Sequence, residues 1–527
     1  MDTTKLLKLI RAYLSDWHND AAEAEQLIAT RLAAGDNIEK SVDAAIKKYH
    51  DLFFLSNLPE VLADAAAIGL GIADPSFIPA EQRSLLIKAV EKPWTADGVK
   101  LSARLHAVGR DMRAQILTIV GRSLKNGSDW RTAAKALYDG YGAGKVIPDQ
   151  AIAGYMAKLR RWTPENYEEQ SRLARIALRN INRLAQNGAP NTALKSAYSK
   201  LLDAAITGSE KAYTNALYVA LNEKSRYVAE RITRTESSRA WADGFFAKTL
   251  ADPLVVAVKW HLSSRHPVYD ICDLYAKTDM YNLGTGVYPK DKLPPLPAHP
   301  HCLCWLSEVF RGEVDLTEAA DNVDKAVDNW LRSLPLEKQR LVLGVYGTNA
   351  WKTGESWKPY LRGWQGLVSP TSRLDAALVR DLMERNLVPP SDSHLAAIAK
   401  SQGLSYNVGK QGYNRWQSDN GWDIYPMFNG FYGIYGTETL KAGSVIVDRY
   451  GKNTGSFVSP QGTAFGERSL PPGSKNDEYH VYRVKKDIPG VLSGRTAPWF
   501  EQPGGGWQYQ LPDKIVNLAD YLEEVDE

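Results

Sequence analysis

The placement of glycine decides most about what this chain can fold into. Of its 40 glycines, 18 fall in the last 127 residues. Glycine opens positive φ to the backbone and weakens helices. The stretch from 401 onward is therefore predicted to be turn-rich β structure, and the stretch before it helical. Turn signals at Tyr450-Gly451, Asn453–Gly455, Pro460–Gly462, Pro471–Gly473 and Gly504–Gly506 punctuate β-prone runs at Ser444–Asp448, Tyr479–Val484 and Trp507–Gln510. The acidic segment Leu518–Glu527 reads as a closing helix.

Before residue 401 the apolar positions recur with helical spacing. Leu6, Leu9, Ile10, Tyr13 and Leu14 mark a first helix; next, Ala24–Ile28 leads to Leu32 and then to Gly35, a helix stop. Further helices are expected over Asp129–Leu137 (Asp129 as N-cap), Glu168–Leu184, Ala193–Ile206, Glu210–Ala240, Leu316–Leu334 and Ser372–Glu384, and a strand over Leu254–His261. A chain of 527 residues is too long for one ordinary core. The expected architecture is multidomain α+β: a helical region at 1–205, an α+β domain at 206–310, a helical linker at 311–400 and a small mostly-β domain at 401–527. A net charge of +3 supplies no global basic field that would argue for nucleic acid. Met1–Thr4 lacks the basic start of a secretory signal, and the apolar run Val61–Ala73 carries Asp64 and is too short to span a bilayer.

All three cysteines and four of the nine histidines lie between residues 261 and 304. Cys272, His299, Cys302 and Cys304, with His266 and His301 nearby, could supply soft tetrahedral ligands to a structural zinc. A packed, metal-free Cys/His hairpin is the alternative, because one residue between Cys302 and Cys304 is not a standard zinc-knuckle spacing. No carboxylate base is paired with the group, which argues against a catalytic metal.

The order Arg234-Thr235-Glu236, Gly244, Trp260, Arg265-His266-Pro267, Asp270, Cys272 and Pro297–Cys304 resembles the Mu-type phage head morphogenesis domain of minor head proteins. The resemblance spans residues 206–310. It implies a minor virion component near the portal, with portal and capsid proteins as partners. Some members from temperate phages carry a variable toxin domain at the C-terminus.

The tail holds the polar residues that suggest chemistry. Arg449 follows a hydrophobic run and precedes a Tyr-Gly turn, where its planar fork suits a phosphate. Arg468 opens Ser-Leu-Pro-Pro-Gly and could clamp a second phosphate. Phe457, Phe465, Trp499 and Phe500 offer ring faces for a base or nicotinamide. Gly504–Gly506 would let the main chain approach a ligand, with Gln508 just beyond. Taken singly, each has a plain structural explanation: surface arginines, core aromatics and a turn.

Taken together, DRYG, F-x-SP-x-GT-x-F-x-x-R-x-LPPGS, YH-x-Y-x-V and APWF-x-QPGGG-x-QY resemble the tuberculosis necrotizing toxin domain family, from Tyr425 to Val525. The resemblance implies an NAD(P)+ glycohydrolase that cleaves nicotinamide from ribose and needs no cofactor. Arg449 and Gln508 match the family's essential pair. Arg468, His480 and Phe457 match its binding residues, and Ser459, Gly462 and Thr463 would lie near the phosphates. Glu467 and Glu501 do not stand where an ADP-ribosyltransferase would need its glutamate. The two resemblances together imply a phage head protein carrying a toxin, acting from the virion head in the host cytoplasm and matched by an immunity protein. The alternatives are a structural head protein with an inert tail and an ADP-ribosyltransferase.

Overall fold

The computed structural model describes residues 4–93, 154–159, 162–184, 191–207, 210–264, 266, 269–299, 301–443 and 446–525. The helix expected over Asp129–Leu137, and Arg265, Pro267 and Pro300 of the head-domain motifs, lie outside these residues. The chain is a multidomain α+β protein of two compact units. No described helix is long and apolar enough to cross a membrane.

The first unit comprises residues 1–66, 90–243 and 255–373. Its first helix, Thr4–Ala33, ends where Gly35 takes φ +90°, and packs with Ile38–Ala45 around Ile28 and Val42. The amphipathic pair Tyr167–Leu184 and Asn191–Thr207 buries Leu173, Ile181, Leu194, Tyr198 and Leu201 in one cluster. Such side chains contribute about 1.5–3 kcal/mol each when fully buried. The expected helix from Glu210 runs on to Ala251.

Among the described residues this unit also has an antiparallel three-stranded sheet, ordered β2-β1-β3, of β1 (Val255–His261), β2 (Val287–Pro289) and β3 (Trp305–Phe310). Trp260 of β1 is buried edge-to-face against Tyr275, at 5.2 Å between ring centres. The helix expected over Leu316–Leu334 is shorter: a 3-10 turn at Leu316–Glu318, then Val323–Ser333.

The second unit comprises residues 67–89, 244–254 and 374–527. The helix expected from Ser372 begins at Ala376, after Asp375 caps it. Among the described residues the unit carries one seven-stranded antiparallel sheet, ordered β10-β7-β5-β6-β9-β8-β4. The strands are β4 (Phe431–Leu440), β5 (Ile446–Tyr450), β6 (Phe457–Pro460), β7 (Tyr479–Val484), β8 (Ile488–Thr496), β9 (Trp507–Gln510) and β10 (Leu522–Val525). The closing helix expected over Leu518–Glu527 is not formed. The chain instead makes a 3-10 turn at Ile515–Leu518 and then β10, paired with β7 from Leu522↔Val484 to Val525↔Val481. Leu518, Leu522 and Val525 have helical spacing, but edge pairing with β7 prevails over that periodicity.

Period-2 alternation separates the two sheet faces. Val447, Val458, Tyr482 and Tyr509 turn into one core with Ile488, Leu511 and Leu522. Asp448, Ser459, Phe457 and Gln508 occupy the alternate positions, so polar groups from three adjacent strands share the other face.

Candidate active site

A cavity of about 710 Å³ lies over that polar face, within the roughly 300–1,000 Å³ of small-molecule sites. Five of the eight residues singled out as catalytic or binding line it: Arg449, Phe457, Ser459, Arg468 and Gln508.

Arg449 ends β5, where the strand gives way to the turn at Gly451. Its Nε donates to the Gly451 carbonyl at 3.2 Å, and its Nη1 makes a longer contact, 3.4 Å, to the Phe457 carbonyl. A Cβ on Gly455 would fall within 2.6 Å of three guanidinium atoms, so the loop covers this arginine closely and a larger residue there would displace the guanidinium. Among the described residues Arg449 forms no ion pair with a carboxylate. Burial lowers its pKa from the usual value. A half-buried cation held only by carbonyls is a poised anion site.

Arg468 is differently placed. Its guanidinium and the fully buried Asp448 carboxylate form an ion pair at 2.5 Å, its Nε donates to the Thr463 carbonyl at 2.9 Å, and it lies over the Tyr450 ring. Asp448 also accepts from the Gly462 N–H at 2.9 Å and the Tyr479 hydroxyl at 2.5 Å. Burial, and the carboxylate beside it, push the Tyr479 hydroxyl up to about 12. Arg468 therefore reaches the cavity already neutralised, and Arg449 supplies the uncompensated charge.

Gln508 sits on β9 opposite Gly494. Its Nε2 donates to the Asn429 carbonyl at 3.0 Å, which leaves the Oε1 of this cavity-lining residue available as an acceptor. The wall from Tyr425 to Gly430 is strained: Phe428 and Asn429 have φ of 55° and 53°. With Ser469 at φ 50°, three of the eight non-glycine residues with positive φ among those described line this one cavity. Such backbone costs about 1–3 kcal/mol per residue and clusters where a ligand is held. Asn386 holds the wall, donating to the carbonyls of Met427 at 2.7 Å and Phe431 at 3.0 Å.

The other expected site residues lie behind the cavity or beside it. Gly462 and Thr463 are not lining residues; they hold Asp448 and Arg468 from behind. His480 pairs in register with Arg449, but its Nδ1 lies 2.6 Å from Glu524, and it is not among the lining residues. Trp499 and Phe500, expected as stacking faces, are 2% and 1% exposed and pack with Trp416 and Ile424, so neither can meet a ligand. Phe465 packs on Tyr450 outside the lining. Gly504 and Gly506 do permit a close approach, but to the backbone of Ala497 and Glu467 and not to a ligand. Phe457, 39% exposed, offers the accessible ring. The strained wall, Asp448 and Asn386 were not anticipated. The Asp of DRYG was the one available signal for Asp448.

In the first unit, Cys272, His299 and Cys302 come together, as do His266, Cys272 and Cys304. The Arg234-Thr235-Glu236 and Pro297–Cys304 elements also meet, the His301 N–H donating to the Thr235 hydroxyl at 3.2 Å.

The cavity, with one free arginine and a polar strand face, is that of a small-molecule enzyme or binding site. Residues 439–525 match the family model described as Tuberculosis necrotizing toxin. Among curated proteins, the chain is 40% identical over 132 residues to the conidial surface nicotinamide adenine dinucleotide glycohydrolase nadA of Aspergillus fumigatus. That match takes in 22% of this chain and 56% of the relative. The chain thus spans little more than half the relative's length. Among solved structures, the tuberculosis necrotizing toxin complexed with its immunity factor is matched over 24% of this chain and 81% of that chain, at 18% identity and a TM-score of 0.19.

Proposed function

We propose that the cavity over the second unit's sheet binds NAD+ or NADP+ and hydrolyses the bond between nicotinamide and ribose. The observation that carries this reading is Arg449, a half-buried guanidinium without a carboxylate, on one cavity with Gln508. The 40% identical relative is named an NAD glycohydrolase, and the matching family model is that of a toxin, which support the reaction and its use.

The chemistry follows from what these side chains can do. Arg449 anchors the pyrophosphate through its fork. Phe457 offers a face to a flat ring. Water adds to C1′ of the nicotinamide ribose as the C1′–N bond breaks. The bonding pair returns to the ring nitrogen, nicotinamide leaves neutral without a general acid, and the added water loses its proton to solvent. The transition state has oxocarbenium character. The Gln508 Oε1 meets that developing positive charge or orients the water, and its Nε2 bond to Asn429 keeps the acceptor aimed. No cofactor takes part.

In this reading residues 206–310 form a phage head morphogenesis domain, the chain resides in the virion head near the portal, and the second unit is delivered to act in the host cytoplasm. A dedicated immunity protein protects the producing cell. The Arg234-Thr235-Glu236, Arg265-His266-Pro267, Asp270, Cys272 and Pro297–Cys304 elements of the head-type resemblance support this part.

The test is nicotinamide release from NAD+ and NADP+ by the full chain. Turnover is expected, with kcat/KM lowered about 100-fold or more in Arg449→Ala and in Gln508→Ala, the loss typical of one preorganised polar group. Absence of turnover by the full chain would reject the enzyme and leave the structural head protein. Radiolabel transferred to protein would favour an ADP-ribosyltransferase. Unchanged turnover in both variants would reject the assigned residues.

A further inference from the structure

A second constellation lies outside the cavity and independent of it, around the helix Ile271–Lys277 of the first unit. Every thiol of the chain is here: Cys272, Cys302 and Cys304 are its three cysteines, all buried and unbridged. Cys272 is in the first turn of that helix, behind the Asp270 cap. Across from it, a turn closed by the Cys302 N–H donating to the His299 carbonyl at 3.1 Å, with His301 left-handed at φ 67°, leads to β3.

The separations are informative. The Cys272 Sγ lies 3.7 Å from the Cys302 Sγ and 3.3 Å from the His299 Nε2. Zinc–sulfur bonds of about 2.3 Å and zinc–nitrogen bonds of about 2.0–2.1 Å at tetrahedral angles require S···S near about 3.8 Å and S···N near about 3.6 Å. Cys304 is the third sulfur: its Sγ lies within 4.8 Å of the Cys272 Sγ, the thiol that the two groups share. A buried cysteine without a metal behaves as a small apolar side chain and packs on apolar neighbours. These three pack on one another and on an imidazole.

We infer that Cys272, Cys302, Cys304 and His299 bind one structural zinc ion that ties the helix Ile271–Lys277 to the start of β3. His266 is a positioning residue. Its Nε2 lies 2.8 Å from Asp273, a nearly buried carboxylate that also takes Lys277 at 2.6 Å, and within 4.8 Å of the Cys272 and Cys304 sulfurs, whereas the His299 Nε2 lies 3.3 Å from the Cys272 Sγ, with Asp270 beside it at 3.3 Å. Binding replaces three S–H protons by the metal and releases them to solvent. With three thiolates and no open position, the ion is structural and takes no part in the cavity's chemistry.

The full chain, purified without chelator, is expected to contain one zinc. Mercurial modification of its three thiols should release that zinc to a colorimetric chelator. Cobalt(II) exchanged for zinc should give the intense sulfur-to-cobalt charge-transfer absorption of a tetrahedral thiolate site. Cys272→Ser should lose the metal, and His299→Gln should weaken it more than His266→Gln does. Metal content of the wild-type chain decides the matter even if a cysteine variant fails to fold. A chain free of zinc, with no charge-transfer band on adding cobalt, would overturn the site. A larger loss in His266→Gln than in His299→Gln would overturn the choice of the fourth ligand.

Discussion

Asp448 and Arg449 are neighbours with opposite duties. Asp448 is fully buried and its charge is spent inside the protein, on Arg468, the Gly462 N–H and Tyr479. Among the described residues Arg449 has no carboxylate partner, and its charge is left for a ligand. Asp448→Asn keeps the shape but strands the Arg468 guanidinium, itself 5% exposed as a side chain. Removing one member of a buried pair costs about 3–5 kcal/mol. The expected outcome in urea unfolding is a loss of that size, whereas Arg449→Ala should leave stability nearly unchanged. Equal stability of Asp448→Asn and the wild type would mean the pair does not hold the cavity floor. The residue scale also marks a limit of reading from sequence. Arg449, Gln508 and Phe457 were legible because they sit in dense motifs. Trp499 and Phe500 sit in an equally dense motif yet belong to the core, since a motif does not say which way a ring faces.

At the scale of elements, strands rich in β-branched or aromatic residues and free of glycine were legible: Tyr479–Val484 and Trp507–Gln510 form with those bounds, and β1 begins one residue late. The edge strand β4 and its neighbour β8 were not. Gly433, Gly436, Gly490 and Gly494 interrupt their pattern, and glycine in a strand often marks close backbone contact and not a turn. At Gly494 an added Cβ would lie 3.0 Å from the Phe431 ring and 3.1 Å from the Ile434 carbonyl. The helix Asp392–Ser401 makes a different point. It carries His394, whose Nδ1 is enclosed and has no hydrogen-bond partner among the described residues. Burial lowers the His394 pKa from 6.5. The unfolded chain then binds the proton more readily than the folded one, so stability is present above pH 6.5 and falls as pH drops below it toward the folded value. Buried His301 and half-buried His261, whose pKa values burial also lowers, contribute to the same acid limb, so thermal melts should show it and His394→Gln should make it shallower. An identical limb in the variant would assign the effect elsewhere.

The whole molecule does not divide where its glycine content does. The second unit draws on residues 67–89, 244–254 and 374–400 as well as on the glycine-rich tail. Long-range pairing of this kind leaves no periodic trace in a sequence. Asn386 holds both ends of the strained cavity wall, and Arg415 pairs with Asp392 at 2.7 Å. Leu395 and Ile398 pack under Trp416, Trp499 and Phe500. A chain cut to 401–527 loses all of these. Two buried aliphatic side chains alone contribute about 1.5–3 kcal/mol each, against a total stability of about 5–15 kcal/mol for a typical domain. Gly433 packs so closely on Phe77 that an added Cβ would lie 2.2 Å from its carbonyl oxygen, so residues 67–89 supply a further wall. Stability is therefore expected to rise from 401–527 to 374–527 to the full chain. NAD+ turnover should follow the same order, because the wall that carries the Gln508 acceptor depends on Asn386. Side-by-side denaturant titrations and nicotinamide-release assays of the three chains check this. If 401–527 matched the full chain in both, the glycine-rich tail would be a self-sufficient domain and the strain at Phe428 and Asn429 would be held from within it.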